Sequence, residues 1–334
     1  MLLPGTSPSA RTRVESPRRE IMKKSPNALA RRKPLFTRTA QLVTFDDWLQ
    51  LAVELYAREE VALGQVTDIA QDEALYLLLR TLDLPLDSDP SVLDCKLTKK
   101  EIAAVKAALQ RRIVDRVPAA YITREAFLGE HRFYVDERTI IPRSYFLEII
   151  PQQLNDWLPD PKKVRHVVDV CTGSGCLAIL LADHFPKAKV DAVELSTDAL
   201  EVAEINLKEH KLAHRIKLFE SDVFDAVPKQ KYDVILSNPP YEPSAHVDGL
   251  PEEFHREPRM SLDGGKDGLD IIRKLLRQSR DRLQPHGIVL IEVGGLREAM
   301  DKEFGKLDLH WLHTEDGADC VCVINAKRLK VAKL

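Results

Sequence analysis

The sequence predicts an α/β protein: a mostly parallel, doubly wound sheet of seven strands, preceded by a small helical domain and a bridging β-hairpin. Three observations predict it. From Arg165 onward, short apolar runs rich in β-branched residues alternate with helix-length stretches, which is the texture of a parallel sheet with crossover helices. From Phe45 to about residue 117, apolar residues recur instead at three- and four-residue spacing, the period of a helix. Between the two lie Ala126-Phe127-Leu128 and Arg132-Phe133-Tyr134-Val135, separated by Gly129-Glu130, the pattern of a hairpin.

The chain divides accordingly into residues 1–40, 41–117, 118–160 and 161–334. The first segment is rich in Arg, Ser and Pro and lacks apolar periodicity, so it reads as a disordered basic tail. It holds ten Lys or Arg against two Glu, about +8, which leaves the rest near −11 within a net charge of −3. Three readings of the tail stay open: a basic arm for RNA, an organellar transit peptide, or an over-extended translation start with Met22 as the true first residue. In the helical domain, Trp48, Leu49, Ala52, Val53 and Tyr56 form one stripe and Ala74, Leu75, Leu78 and Leu82 a second. Thr98 with Glu101 makes a capping box before a third, Ile102, Val105, Leu109 and Ile113. Nothing in this domain carries chemistry; its roles are packing and substrate selection.

After the hairpin, Ile140-Ile141-Pro142-Arg143 leads to Ser144, which is expected to cap a helix reaching about Trp157. The seven strands then fall at 166–170, 190–194, 216–219, 232–236, 288–293, 309–312 and 320–324. Helices are expected at 176–185, 197–210 and 269–283, with another from Leu296. The last two strands are joined by a turn at Asp316-Gly317, so one of them runs antiparallel. There is no membrane-length apolar stretch and no signal-peptide core. Charged residues are 30% and hydrophobic ones 44%, an ordinary composition for a cytoplasmic globular protein. The five cysteines (Cys95, Cys171, Cys176, Cys320, Cys322) show no metal-ligand spacing and read as buried free thiols of a reducing compartment. No metal is expected.

Two stretches carry chemistry. The first is Asp169-Val170-Cys171-Thr172-Gly173-Ser174-Gly175, between the first strand and its helix. Gly173 and Gly175 let the backbone turn tightly and approach a ligand. Glu194, at the end of the second strand, is placed to take both hydroxyls of a ribose. Asp222, followed by Val223, is placed to accept from an adenine amino group, or else to cap the next turn. A carboxylate opening the loop suits a cationic ligand better than a pyrophosphate, and S-adenosylmethionine, with a sulfonium and an ammonium, is such a ligand. The second stretch is Ser237-Asn238-Pro239-Pro240-Tyr241, after the buried run 232–236. Two prolines remove two donors and fix two φ angles, and Asn238 before them is held extended. On these residues alone the corner is equally a plain turn. Beside a bound methyl donor it is a rigid acceptor site for one planar –NH2 group, with Tyr241 to cover its face. Strand topology brings both stretches to the carboxyl edge of the sheet.

Together the glycine loop, Glu194, Asp222 and Asn-Pro-Pro-Tyr resemble the Rossmann-type methyltransferases that modify amino groups of planar amides or bases. The likeness extends to Phe127-Leu128-Gly129-Glu130-His131-Arg132-Phe133-Tyr134-Val135-Asp136-Glu137-Arg138, to Ile141-Pro142-Arg143-Ser144 and to His255-Arg256-Glu257-Pro258. With these the chain, from about residue 41 to its end, is similar to the bacterial protein-glutamine methyltransferases, specifically the branch acting on large-subunit ribosomal protein three. The resemblance implies S-adenosylmethionine as methyl donor and a glutamine amide nitrogen as acceptor. It implies contacts to the donor from Asp169, Cys171, Thr172, Gly173, Ser174, Gly175, Glu194, Asp222, Val223 and Asn238, and catalysis at Asn238, Pro239, Pro240 and Tyr241. Two departures stand out. Glu194 replaces the more usual Asp, one methylene longer, which calls for local adjustment; and residues 1–40 have no counterpart. Three alternatives remain: a release-factor glutamine methyltransferase, a nucleic-acid base methyltransferase, which needs a basic groove that a net-acidic body lacks, and a non-catalytic ribosome-binding module. No nucleic-acid requirement and no membrane association are expected.

Overall fold

The computed structural model describes residues 35–37 and 39–331; the tail expected to be disordered lies outside them up to residue 34 and at 38. The chain forms two compact units, one ending at Thr123 and the other beginning at Arg124.

The first unit is helical: α1 (Phe45–Arg58), α2 (Ala70–Thr81), α3 (Lys99–Ile113) and the short α4 (Ala119–Thr123). The capping box at Thr98 forms, with Glu101 N donating to Thr98 Oγ1 and Thr98 N to Glu101 Oε2. Thr44 and Asp47 make a second box at the start of α1. Trp48, Leu49, Ala52, Leu55 and Tyr56 of α1 close on Leu77 and Leu78 of α2 and on Val105, Leu109 and Ile113 of α3, all buried. Leu35 and Phe36, inside the stretch expected to have no core, are partly buried against this cluster. The Phe36 ring stands edge-on to Trp48 at 6.2 Å. The helical periodicity does not announce the pair Arg112–Glu73, which sits within this core.

The second unit opens with the hairpin β1 (Glu125–Leu128) and β2 (His131–Tyr134), then α5 (Phe146–Gln152). The helix expected to reach Trp157 stops at Gln152 and tightens into a 3₁₀ turn at Leu154–Trp157. Pro151 lies inside α5, where it has no N–H to give and its ring crowds the preceding turn. The cap expected at Ser144 falls instead at Tyr145, with no side-chain cap bond, because the Ser144 hydroxyl donates to Glu292 and accepts only from Phe146 N two residues on. Next come β3 (His166–Val170), α6 (Cys176–His184), β4 (Lys189–Glu194), α7 (Thr197–Glu209), β5 (Ile216–Glu220) and β6 (Tyr232–Ser237). A loop with the short α8 (Ser244–Val247) leads to α9 (Asp270–Ser279), β7 (Leu283–Glu292), α10 (Arg297–Phe304), β8 (His310–Leu312), β9 (Val321–Asn325) and α11 (Ala326–Val331).

The seven strands lie in the order β5-β4-β3-β6-β7-β9-β8. All neighbours from β5 to β7 are parallel, and β9 runs antiparallel to both β7 and β8. Val168 and Val170 join a buried cluster with Ile272, Leu276 and Met300 of α9 and α10, so Val167 and Asp169 point to the opposite face. Strand order reverses between β3 and β6, where a ligand crevice is expected in an open parallel sheet. Register there pairs Val170 with Ser237, which brings the two motif loops side by side. Cys95 is exposed, contrary to the expectation for the cysteines, because it ends a 3₁₀ turn at the surface; all five thiols are free. Among the described residues no helix is long and apolar enough to cross a membrane, and no cluster of His, Cys, Asp or Glu is placed to hold a metal.

Candidate active site

A cavity of about 390 Å³ opens at the ends of β3, β4 and β6, within the size range of small-molecule sites. Cys171, Thr172, Gly173, Ser174, Glu194, Asp222, Val223, Asn238, Pro239, Pro240 and Tyr241 all line it. Two further stretches, 138–144 and the loop from Leu250 to Asp263, complete its walls.

The glycine loop owes its shape to residues beneath and behind it. Thr172 Oγ1 donates to Asp169 Oδ2 at 2.5 Å, and Thr172 N to Val193 O. Asp169 is fully buried and does not line the cavity, so the direct ligand contact expected of it is replaced by a hold on the loop from below. Burial pushes its carboxyl up to about 7, opposed by the Thr172 hydroxyl and the Ala178 N–H. Asn206 of α7, fully buried, donates to Ser174 O and to Tyr134 O and accepts from Tyr134 N. Both ends of its amide are engaged, which ties the loop to the hairpin. Cys171 has φ 64° and Val223 φ 54°. Left-handed backbone is costly for these residues, most of all for β-branched valine, and such strain concentrates where a structure over-determines a site. Burial, with Glu194 nearby, holds the Cys171 thiol well above its ordinary range, so it is neutral.

Glu194 accepts from three backbone amides: Gly173 N on Oε2 at 2.9 Å, and Leu195 and Ser196 N on Oε1. The longer side chain thus locks the glycine loop to the end of β4. Asp222 lines the cavity too, but its Oδ2 is engaged by Lys274 Nζ at 2.8 Å, and the same ammonium reaches Asp225. The sequence held no sign of this, since Lys274 lies on α9, 52 residues further on.

The Asn-Pro-Pro-Tyr corner is fastened to β3 by Ser237, whose hydroxyl donates to Val170 O at 2.6 Å. Its other side is braced by glycines that permit very close approach. A Cβ on Gly268 (φ 80°) would lie 2.2 Å from Tyr241 O, and one on Gly294 (φ 49°) 2.6 Å from the Tyr241 ring. Burial pushes the Tyr241 phenol above its usual range, with Glu292 adding to the effect. Asn238 Nδ2 donates to Arg143 O at 3.5 Å.

The two basic side chains lining the cavity are both paired. Arg138 meets Asp136 and Glu201. Arg143 makes a two-bond fork to Glu257 at 2.6 and 2.8 Å, and Glu257 is buried. The walls therefore offer carboxylates, Ser and Thr hydroxyls and one amide, and both cations are already paired with carboxylates. That set fits a ligand with hydroxyls, amino groups and positive charge better than one carrying a phosphate. Arg143 and Glu257 belong to two short motifs more than 110 residues apart, and no periodicity links them.

Residues 151–266 match the methyltransferase small domain family. The chain is 45% identical over 293 residues to the ribosomal protein uL3 glutamine methyltransferase of Burkholderia pseudomallei, covering 86% of this chain and 95% of that one. It is 43% identical over 296 residues to the protein of the same name from Neisseria gonorrhoeae, covering 88% and 99%. Among solved structures, the catalytic domain of hMettl16 superposes with a TM-score of 0.46 at 15% identity, covering 69% of this chain and 82% of that one.

Proposed function

The chain belongs to the ribosomal protein uL3 glutamine methyltransferase family, and from that premise we propose how its cavity works. The protein transfers a methyl group to the side-chain amide nitrogen of a glutamine in large-subunit ribosomal protein uL3. S-adenosylmethionine supplies the electrophilic methyl, carried on a sulfonium. Glu194 would hold its ribose hydroxyls, Asp222 and Val223 its adenine, and the backbone of 171–174 its amino-acid end; Gly175, also expected at the donor, does not line the cavity and lies against Ala203. The observation that carries this reading is the convergence of Glu194, the glycine loop and Asn238 on one cavity whose two cations are both paired with carboxylates.

An amide nitrogen is a poor nucleophile because its lone pair is shared with the carbonyl. Alignment of the reacting atoms contributes up to about 7–11 kcal/mol in favourable cases. We assign Asn238 Oδ1 and the Pro239 carbonyl to accept the two N–H bonds of the substrate amide, which aims the nitrogen and stabilises the positive charge that grows on it. Pro239 and Pro240 keep the corner rigid, and the neutral Tyr241 ring packs against the amide plane. As the N–C bond forms and the S–C bond breaks, the nitrogen becomes strongly acidic and releases its proton to solvent, so the transfer needs no strong base beforehand. Residues 41–117 take the role of acceptor selection and 161–334 that of transfer. A ribosomal acceptor puts the reaction in the cytoplasm.

The test is Asn238→Ala with labelled donor and purified uL3. We expect kcat to fall about 10²–10³-fold, as for removal of one preorganised transition-state contact, with a much smaller change in donor affinity. Asn238→Asp, which keeps one acceptor, should retain partial activity. A stable Asn238→Ala protein with full single-turnover activity would reduce Asn-Pro-Pro to a turn.

A further inference from the structure

We propose that Glu257 is a positioning residue for Asn238, acting through Arg143; the proposal rests on the reading above. The stretch 141–145 along the cavity wall is pinned at two places by buried carboxylates from elsewhere in the chain. Glu257 accepts from Ile141 N at 3.0 Å and forks onto the Arg143 guanidinium. Glu292, at the end of β7, accepts from the Ser144 hydroxyl at 2.5 Å and from Tyr145 N at 3.1 Å. Between the pins, the carbonyl of Arg143 takes the Asn238 Nδ2 proton.

That one contact decides what Asn238 shows to a substrate. A side-chain amide carries a donor at one end and an acceptor at the other. With Nδ2 turned to the Arg143 carbonyl, Oδ1 is left to accept from the substrate –NH2. Rotated by half a turn, the amide would set oxygen against oxygen at Arg143 and offer –NH2 to –NH2 in the cavity. At 3.5 Å the bond is long and tolerates little further displacement of the carbonyl. The bidentate fork supplies the needed rigidity, because a planar guanidinium on a carboxylate fixes direction as well as distance. Glu257 sits on the loop that also contributes Leu250, Phe254, Met260 and Asp263 to the cavity, and the Arg143 guanidinium lies 5.7 Å from the Phe254 ring. The seating of that loop and the aim of Asn238 are thereby one event.

The experiment is a double-mutant cycle on the full chain, read by single-turnover methyl transfer to uL3, donor binding and thermal unfolding. Glu257→Ala is expected to lower kcat about 10²-fold, the scale of a small misplacement of reacting groups, with donor affinity unchanged. Glu257→Gln, which can still accept from Ile141 N, is expected to fall in between and serves if the alanine variant does not fold. In the Asn238→Ala background the change at Glu257 should cost nothing more, because the two act in series. Wild-type kcat per folded molecule in Glu257→Gln and Glu257→Ala, or full additivity with Asn238→Ala, overturns the proposal. A wild-type protein inactive on uL3 would instead overturn the underlying function.

Discussion

Two arginine–glutamate pairs, one in each unit, have the same chemistry and opposite surroundings. In the helical unit Arg112 gives Nε to Glu73 Oε1 at 2.7 Å and Nη2 to Oε2 at 3.2 Å. In the sheet unit Arg143 gives its two terminal nitrogens to Glu257 at 2.6 and 2.8 Å. The first pair is wholly enclosed, its side chains 0% and 1% exposed, with the guanidinium 5.5 Å from the Tyr56 ring. The second has a Glu at 0% but an Arg at 32%, opening on the cavity. An enclosed pair that loses a partner leaves a bare charge in low dielectric, so its loss is paid in stability. An open arginine that loses its partner is taken up by water, and the loss falls on the position of whatever it was holding. Burial of the base, rather than of the acid, separates a pair that builds the fold from one that aims the site.

The strongest way to break this contrast is Glu73→Ala. It is expected to destabilise the protein by about 3–5 kcal/mol in chemical denaturation, while methyl transfer per folded molecule holds. A loss under about 1 kcal/mol, the scale of an exposed pair, would make the two pairs alike. Glu194→Ala is an intermediate case, since that carboxylate both lines the cavity and holds three backbone amides. Calorimetry should show S-adenosylmethionine binding weakened by about 1.5–3 kcal/mol, with a lower unfolding midpoint; unchanged affinity would remove Glu194 from the site.

Glu292 sharpens the contrast through pH. Burial pushes its carboxyl up to about 7 from an ordinary 4.5, against the pull of the Ser144 hydroxyl and the Tyr145 N–H. The folded chain therefore holds a proton that the unfolded chain releases between those values, so this group's contribution to stability is present at low pH and lost as pH rises through about 7. Subtracting the stability curve of Glu292→Gln from that of the wild type isolates the effect from the other carboxyls. The difference is expected to fall across that window, and a flat one would mean Glu292 is ionised when folded.

The motifs were legible because they are local. Thr98 and Glu101 announce a cap three residues apart, and Asn-Pro-Pro constrains its own backbone. Gly173 and Gly175 follow directly on a buried strand. Less legible was Asp169, whose place in the motif points to the ligand while its side chain lies under the loop. Which face of a strand end meets the cavity depends on the pleat and on the neighbour across the sheet, and neither is written in the motif. Helix α5 ends early at Gln152, one residue past Pro151, a signal present in the sequence but outweighed by the apolar period around it.

By itself the sequence determined the fold class and the order of strands and helices, which follow from short-range periodicity and backbone restriction; the residues expected at the cavity came from two local motifs and from the family resemblance they carry. The tertiary structure alone decided that Lys274 holds Asp222, that Asn206 ties the glycine loop to the hairpin, and that Glu257 and Glu292 pin the stretch beside Asn238. These contacts join residues tens to more than a hundred positions apart. Their energy depends on direction and on exclusion of water, and both exist only once the sheet has brought the strand ends together.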